Sequence, residues 1–288
     1  MTAATANDPH ICCAYDGSVN AHWIVRYAIH LAANLPSRTL RLIHVQDGRI
    51  SATLLARKLE HVLGDCGRGG VEATVHEVPT RGRVVEALRD AVPGGAETLL
   101  LCGTRARARR SSLLAGTVSE SLLRTAACSV LALRVVLPGL LGAPQRVLIP
   151  VAGNPGEGHA AARVLSLLSP TLQTLHLLHV VRTARTRARI ATGPALAALR
   201  ARGRSAVGRI EDELRSALPL DRVHVDAYVR IAEDWVGQSI ITAGQHQCGL
   251  ILTGASQRLL GADTAELRRM ERLLAASPCD VGILHVPR

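Results

Sequence analysis

The sequence predicts an α/β chain built from two tandem units, and three observations carry that prediction. Short β-type runs alternate with helical patterns, the sign of βαβ units around a parallel sheet. The chain repeats its own patterns at long range. Hydrophobic residues reach 48% of 288 positions, while aromatics reach only 2% and Phe is absent. A core of Leu, Val, Ile and Ala suits strands buried on both faces by helices.

In the first unit the strands are expected near 11–15, 40–45, 71–78, 98–102 and 129–134. Ile11-Cys-Cys-Ala-Tyr15 is an apolar run ended by Asp16-Gly17-Ser18. A helix near 19–34 follows, with Ile24, Ala28 and Leu31 as its apolar stripe. Leu40-Arg-Leu-Ile-His44-Val45 is the second strand, and helices are placed near 50–65 and 81–92. Pro93-Gly-Gly95 punctuates the approach to the strand Leu99-Leu-Leu-Cys102, and a last helix covers about 117–126.

The repeat fixes the organisation. Leu40–Val45 matches Leu175-His-Leu-Leu-His179-Val180, and Ile11–Gly17 lines up with Val147-Leu-Ile-Pro-Val-Ala152-Gly153. Leu99–Gly103 matches Leu250-Ile-Leu-Thr-Gly254, and Glu120–Cys128 matches Glu271–Cys279. The offset grows along the chain, which places about 16 extra residues between Val180 and Leu250. The expected domains are 8–137 and 145–288, joined by the Pro/Gly connector Leu137–Pro144. The extra segment, near 182–204, carries Arg182, Arg185, Arg187, Arg189, Arg200, Arg202 and Arg204 without an acidic residue. It reads either as a docking arm for an anionic partner or as a solvated insertion, with Ala195–Leu199 able to form a helical turn.

The stretch from Leu99 to Glu120 holds the strongest functional signal. An apolar run ends at Gly103, a basic loop follows, and Gly116 precedes Thr117 at a helix start. Glycines let a backbone approach a phosphate, and a helix N-terminus offers unpaired N–H groups and its dipole. Neither Gly-Lys-Ser/Thr nor G-x-G-x-x-G is present at this loop. Thr117 with Glu120 is also a capping box, which any helix start can carry for stability alone.

The series Gly103, Ala106, Gly116, Thr117 resembles the nucleotide loop of the universal stress protein family, with alanine in place of its second glycine. Asp16-Gly17-Ser18 after the first strand, His44-Val45 closing the second, and a cysteine before the last extend the likeness over nearly the whole chain. The resemblance implies two tandem doubly wound domains, each a five-stranded parallel sheet flanked by helices, in the manner of adenine nucleotide alpha hydrolase-like folds. It also implies that the halves pair through their last strands as an internal pseudo-dimer, with a further homodimer left open.

Carried onto matching positions, the resemblance sets Ala14, Tyr15 and Asp16 against a nucleoside and the backbone of Val45 against adenine. Cys102 and Gly103 would floor the pocket, and Gly116, Thr117, Val118 and Ser119 would hold phosphates, with Arg105 and Ala106 beside their path. Arg107, Arg109 and Arg110 read as a solvated cluster. The implied ligand is ATP or another adenine nucleotide, alone or with magnesium. In the second half Ala152 stands at the place of Asp16, while Gln257, Leu267 and Arg268 pair with Ala106, Gly116 and Thr117. That half keeps fold signals, with Asn154-Pro-Gly-Glu157 expected to cap a helix. It loses the anion-site signals.

Composition bounds the rest. The net charge of +11 is almost wholly arginine, Lys58 being the one lysine, and favours anionic partners. Stacking on single-stranded nucleic acid is disfavoured, since only Tyr15, Trp23, Tyr27, Tyr228 and Trp235 supply platforms. No apolar run approaches a membrane span and no secretory pattern opens the chain, so a cytoplasmic location is the expectation. The seven cysteines lack C-x-x-C spacing and read as structural; His246-Gln-Cys248 alone is weak metal evidence, and no metal ligands are assigned. No general base stands beside the loop, so the reading is a nucleotide-loaded stress regulator with slow ATP hydrolysis left open, not a fast enzyme. The alternative is a scaffold that binds no nucleotide and docks protein partners through its arginine-rich surface.

Overall fold

The computed structural model describes residues 10–80, 82–105, 113–140, 143–183, 193–254 and 264–287. The chain divides into two compact units, one built on residues up to Ala143 and the other on Pro144–Gly254 and Thr264–Gly282.

The first unit runs β1 His10–Ala14, α1 Val19–Ala33, β2 Thr39–Gln46, α2 Ala52–Arg68, β3 Glu72–Pro79, α3 Val84–Ala91, β4 Gly95–Gly103, α4 Val118–Thr125 and β5 Cys128–Arg134. Its strands stand in the order β3-β2-β1-β4-β5. Each neighbouring pair is parallel, with Ala14 beside Ile43 and Cys13 beside Leu101. The winding reverses between β1 and β4. Because all strands point one way, the carboxyl ends of β1, β2 and β4 share one edge at that switch point, where open α/β sheets place ligands.

Local chemistry explains the boundaries. Ser18 caps α1 by accepting from Ala21 N at 3.0 Å, and Ser51 caps α2 by accepting from Leu54 N at 3.3 Å. Helix α2 ends three residues beyond the expected 65, at Arg68. Its exit is built by Gly70 at φ +67, which lets Val71 N reach Cys66 O at 2.9 Å. Helix α3 is shorter than the expected 81–92, running Val84–Ala91, and Arg83 at its start supplies no side-chain cap.

The second unit runs β6 Arg146–Val151, α5 Glu157–Leu168, β7 Thr174–Arg182, α6 Gly193–Ala217, β8 His224–Ala232, α7 Trp235–Gln245, β9 Leu250–Gly254, α8 Thr264–Ala276 and β10 Asp280–His285. Its order, β8-β7-β6-β9-β10, repeats that of the first unit. The repeat is visible in packing where identity is not. The buried stripe Leu55, Leu59, Val62 and Cys66 of α2 recurs in α6 as Gly203, Val207, Ile210 and Leu214, each 148 residues further on. Each of those Leu, Ile and Val side chains contributes ~1.5–3 kcal/mol by leaving water.

By this alignment the residues of α6 before Arg200 have no counterpart in α2. Part of the arginine-rich insertion is therefore helical: Arg182 ends β7, while Arg200, Arg202 and Arg204 ride on α6. Arg185, Arg187 and Arg189 lie outside the described residues. The expected cap of α5 needs correction. Gly156, at φ +83, is its N-cap, and Asn154 instead donates from Nδ2 to Glu157 Oε1 at 2.6 Å. The left-handed glycine delays helix entry by two residues and turns Glu157 back onto the loop.

Candidate functional site

Each strand end at the switch edge of the first unit is held by a specific bond. Tyr15 follows β1, and its N–H donates to Ile43 O at 2.9 Å. The buried His44 donates from Nδ1 to Tyr15 O at 2.8 Å, joining the ends of β1 and β2. His179 makes the equivalent bond to Val151 O at 3.0 Å in the second unit. A bond repeated in both units is an architectural one, as the duplication of this histidine in the sequence argues.

The turn after β1 is organised by Asp16, whose Oδ1 accepts from Ser18 N at 2.9 Å. Gly17 sits at φ +73 and leaves no room for a Cβ beside Ile50 Cδ1. Lys58, the chain's only lysine, donates from Nζ to Gly17 O, which brings an ammonium to the switch edge. Sequence reasoning missed that contact. Its signal was a single lysine among arginines, one helix away from the turn. Val45 is buried, and its carbonyl accepts from Asp47 N at 2.9 Å.

At the end of β4, Cys102 is buried and Gly103 lies under α1. A Cβ on Gly103 would stand 2.6 Å from Asn20 Nδ2, the group that donates to Thr104 O at 2.9 Å. Burial first, then the nearby Cys128, pushes the Cys102 thiol up to about 12. A buried thiol kept in its protonated form packs as a small apolar side chain. All seven cysteines are free and buried. Burial, aided by Asp16 and then Cys13, raises the Tyr15 phenol to about 12, and its buried hydroxyl has no hydrogen-bond partner among the described residues.

The loop that follows closes on itself. Arg105 N donates to Leu113 O at 3.1 Å, and its guanidinium reaches Gly116 O at 3.4 Å. Ala106, Arg107, Arg109 and Arg110 lie outside the described residues. Gly116 is left-handed at φ +70. Thr117 is the N-cap of α4: its Oγ1 accepts from Glu120 N at 3.0 Å and donates to Leu114 O at 2.5 Å. The other arm of the capping box is shifted by one residue, since the Glu120 carboxylate takes Gly116 N at 2.6 Å instead of the cap's own amide. Thr117 N is already bonded to Leu114 O at 3.1 Å. Val118 and Ser119 open the helix, where first-turn amides lack intrahelical acceptors. Arg105 is hydrogen-bonded to Gly116 and Thr117 to Ser119, while Ala14, Tyr15, Asp16, Val45, Cys102 and Gly103 belong to the strand ends at the same edge.

The second unit treats the same places differently. Glu157 Oε2 accepts from Ala152 N at 2.9 Å and from Gly153 N at 3.0 Å, so a carboxylate of the chain occupies the amides after β6. Leu267 and Arg268, paired in sequence with Gly116 and Thr117, lie inside α8. Helix stands where the first unit has a glycine turn and cap. Gln257 lies outside the described residues.

Fold and loop together define an open, doubly wound α/β domain with a glycine–hydroxyl turn opening a helix at the switch edge. Residues 9–134 match the model of the universal stress protein family. Among solved structures, a universal stress protein from Archaeoglobus fulgidus DSM 4304 is similar at a TM-score of 0.63 and 16% identity, over 97% of each chain. A putative universal stress protein from Pseudomonas aeruginosa UCBPP-PA14 is similar at a TM-score of 0.60 and 14% identity, over 97% of this chain and 94% of that one. The cytoplasmic domain of a prokaryotic cation chloride cotransporter is similar at 0.57 and 13% identity, over 97% and 96%. At these identities the likeness is one of fold. No curated protein matches the chain. Among the described residues no helix is long and apolar enough to cross a membrane.

Proposed function

We propose that the first unit binds an adenine nucleotide, ATP or a close relative, alone or with magnesium, at the switch edge between β1 and β4. The observation that carries this reading is the turn at Gly116 and Thr117: a left-handed glycine and a capped helix start present the amides of Val118 and Ser119 beside the Arg105 guanidinium. Such an arrangement favours a phosphate through amide donors, the helix dipole and a charge-assisted bond. The nucleoside would lie on the Ala14–Asp16 turn, Val45 and the Cys102–Gly103 floor. The Glu120 carboxylate at the turn is taken up by Gly116 N, and on this reading the output is a nucleotide-dependent change of shape or partner and not rapid turnover.

A second reading has an observation of its own. Glu120 already occupies Gly116 N, as Glu157 occupies the amides of the second unit, so a scaffold without nucleotide is the alternative. On that reading protein partners dock on the arginines. Native mass spectrometry of the purified full-length chain separates the two. One adenine nucleotide per chain supports the first reading; a chain that stays free of nucleotide under excess ATP and magnesium supports the second.

A further inference from the structure

Helices α1 and α2 bring His22 against two groups, His61 and Asp65, that lie a strand and a helix further along the sequence. His61 and Asp65 stand one helical turn apart on α2, and His22 faces them from α1. The two imidazoles stack with centroids 5.2 Å apart and planes inclined by 15°. His22 Nε2 is 3.8 Å from Asp65 Oδ2, and one donor atom from each residue lies within 4.8 Å of the others. The Asp65 side chain is 2% exposed, an unusual setting for a carboxylate.

We propose that His22, His61 and Asp65 form a site for one divalent transition-metal ion, with zinc the best match. Two imidazoles and a carboxylate are the donor set of three-ligand zinc sites, whose fourth position is left to water. Donors bound at ~2.0–2.2 Å around a tetrahedral ion lie ~3.4 Å apart, so the present triangle needs to contract by about an ångström. His61 is exposed, and its side chain is the one that would move by that amount. The neighbours suit the role unequally. Arg68 holds Asp65 Oδ1, which leaves Oδ2 for the ion and orients the carboxylate from outside. Arg26 Nε lies 3.3 Å from Oδ2 but makes no hydrogen bond with good geometry among the described residues, so the ion displaces a charge contact and not a bond. Burial, then His61, Arg26 and Lys58, keep the His22 imidazole below its ordinary value against the pull of Asp65.

The test uses the reduced, untagged full-length chain, stripped with chelator and titrated with zinc by calorimetry and with cobalt by visible absorption. The proposal expects one ion per chain, a tetrahedral cobalt spectrum without a thiolate charge-transfer band, and a zinc-dependent rise in Tm. His61→Ala, at an exposed position, keeps its circular dichroism and loses at least ten-fold in affinity, and His22→Ala does the same. No saturable binding, a thiolate band, or undiminished binding by His61→Ala overturns it and leaves His22, Arg26, Asp65 and Arg68 as an ion-pair cluster.

Discussion

His44 and Tyr15 are joined by a buried bond in which the imidazole Nδ1–H donates to a main-chain carbonyl at 2.8 Å. A carbonyl only accepts, so this bond sets the tautomer and leaves Nε2 without its proton when the ring is neutral. It ties the ends of the two strands on which the nucleoside would rest.

Replacing His44 with Ala removes the bond and opens a small void, at an expected cost of ~2–3 kcal/mol. His179 is only partly buried, and His179→Ala is expected to cost about half as much. Urea unfolding of the two variants checks the order, and equal losses would show that burial does not set it.

Gly103→Ala places a methyl against Asn20 Nδ2 and 3.2 Å from Ile24 Cγ1. Loss of the Asn20–Thr104 bond and the local shift are expected to lower stability by ~1–2 kcal/mol. Asn20→Ala shares that lost bond, so the double variant should cost less than the sum of the singles in a thermal-melt cycle.

Thr117→Ala removes the cap of α4 and is expected to cost ~1 kcal/mol of stability. Under the nucleotide reading it also weakens ATP binding several-fold, whereas Arg268→Ala in the second unit leaves binding unchanged. Chemical denaturation and a binding titration report the two effects separately.

In the second unit, Glu213 accepts from Gly156 N at 3.0 Å and from Gly158 N at 2.9 Å. Burial alone would raise its carboxyl, but these bonds, with His159 nearby, hold it below the ordinary carboxylate range. The folded value lies under the unfolded one of ~4.3, so the contribution to stability is present above that pH and lost as pH falls through the folded value. Glu213→Gln should flatten the stability–pH curve in that acid window while changing its shape little near pH 7. Denaturant midpoints measured from neutral pH downward test this, and an unchanged acid slope would count against it.

Much of the first unit was legible because its signals are local. Ile24, Ala28 and Leu31 mark a helix face, Pro93-Gly-Gly95 a break, and the Leu99–Cys102 run a buried strand. The duplicated His44 and His179 pointed to structure, and their matched bonds agree. What escaped were features made by side chains meeting across elements. Asn154 looked like a cap, yet Gly156 in a left-handed conformation displaced it, because φ is not written in an Asn-Pro-Gly spelling. The shift of Glu120 onto Gly116 N, the reach of Lys58 to Gly17 O and the meeting of His22 with His61 depend on how helices lie on the sheet. Periodicity says which face is buried, not which polar groups then touch.

Nucleotide binding by the first unit would depend most on the Gly116–Thr117 turn, and one titration tests it. Labelled ATP with magnesium, added to the full-length chain, is expected to saturate at one site. Gly116→Val with Thr117→Ala is expected to abolish that binding, because a β-branched residue cannot hold the φ of +70 that the turn requires. Saturable binding that survives both substitutions, or none in the unmodified chain, would contradict it.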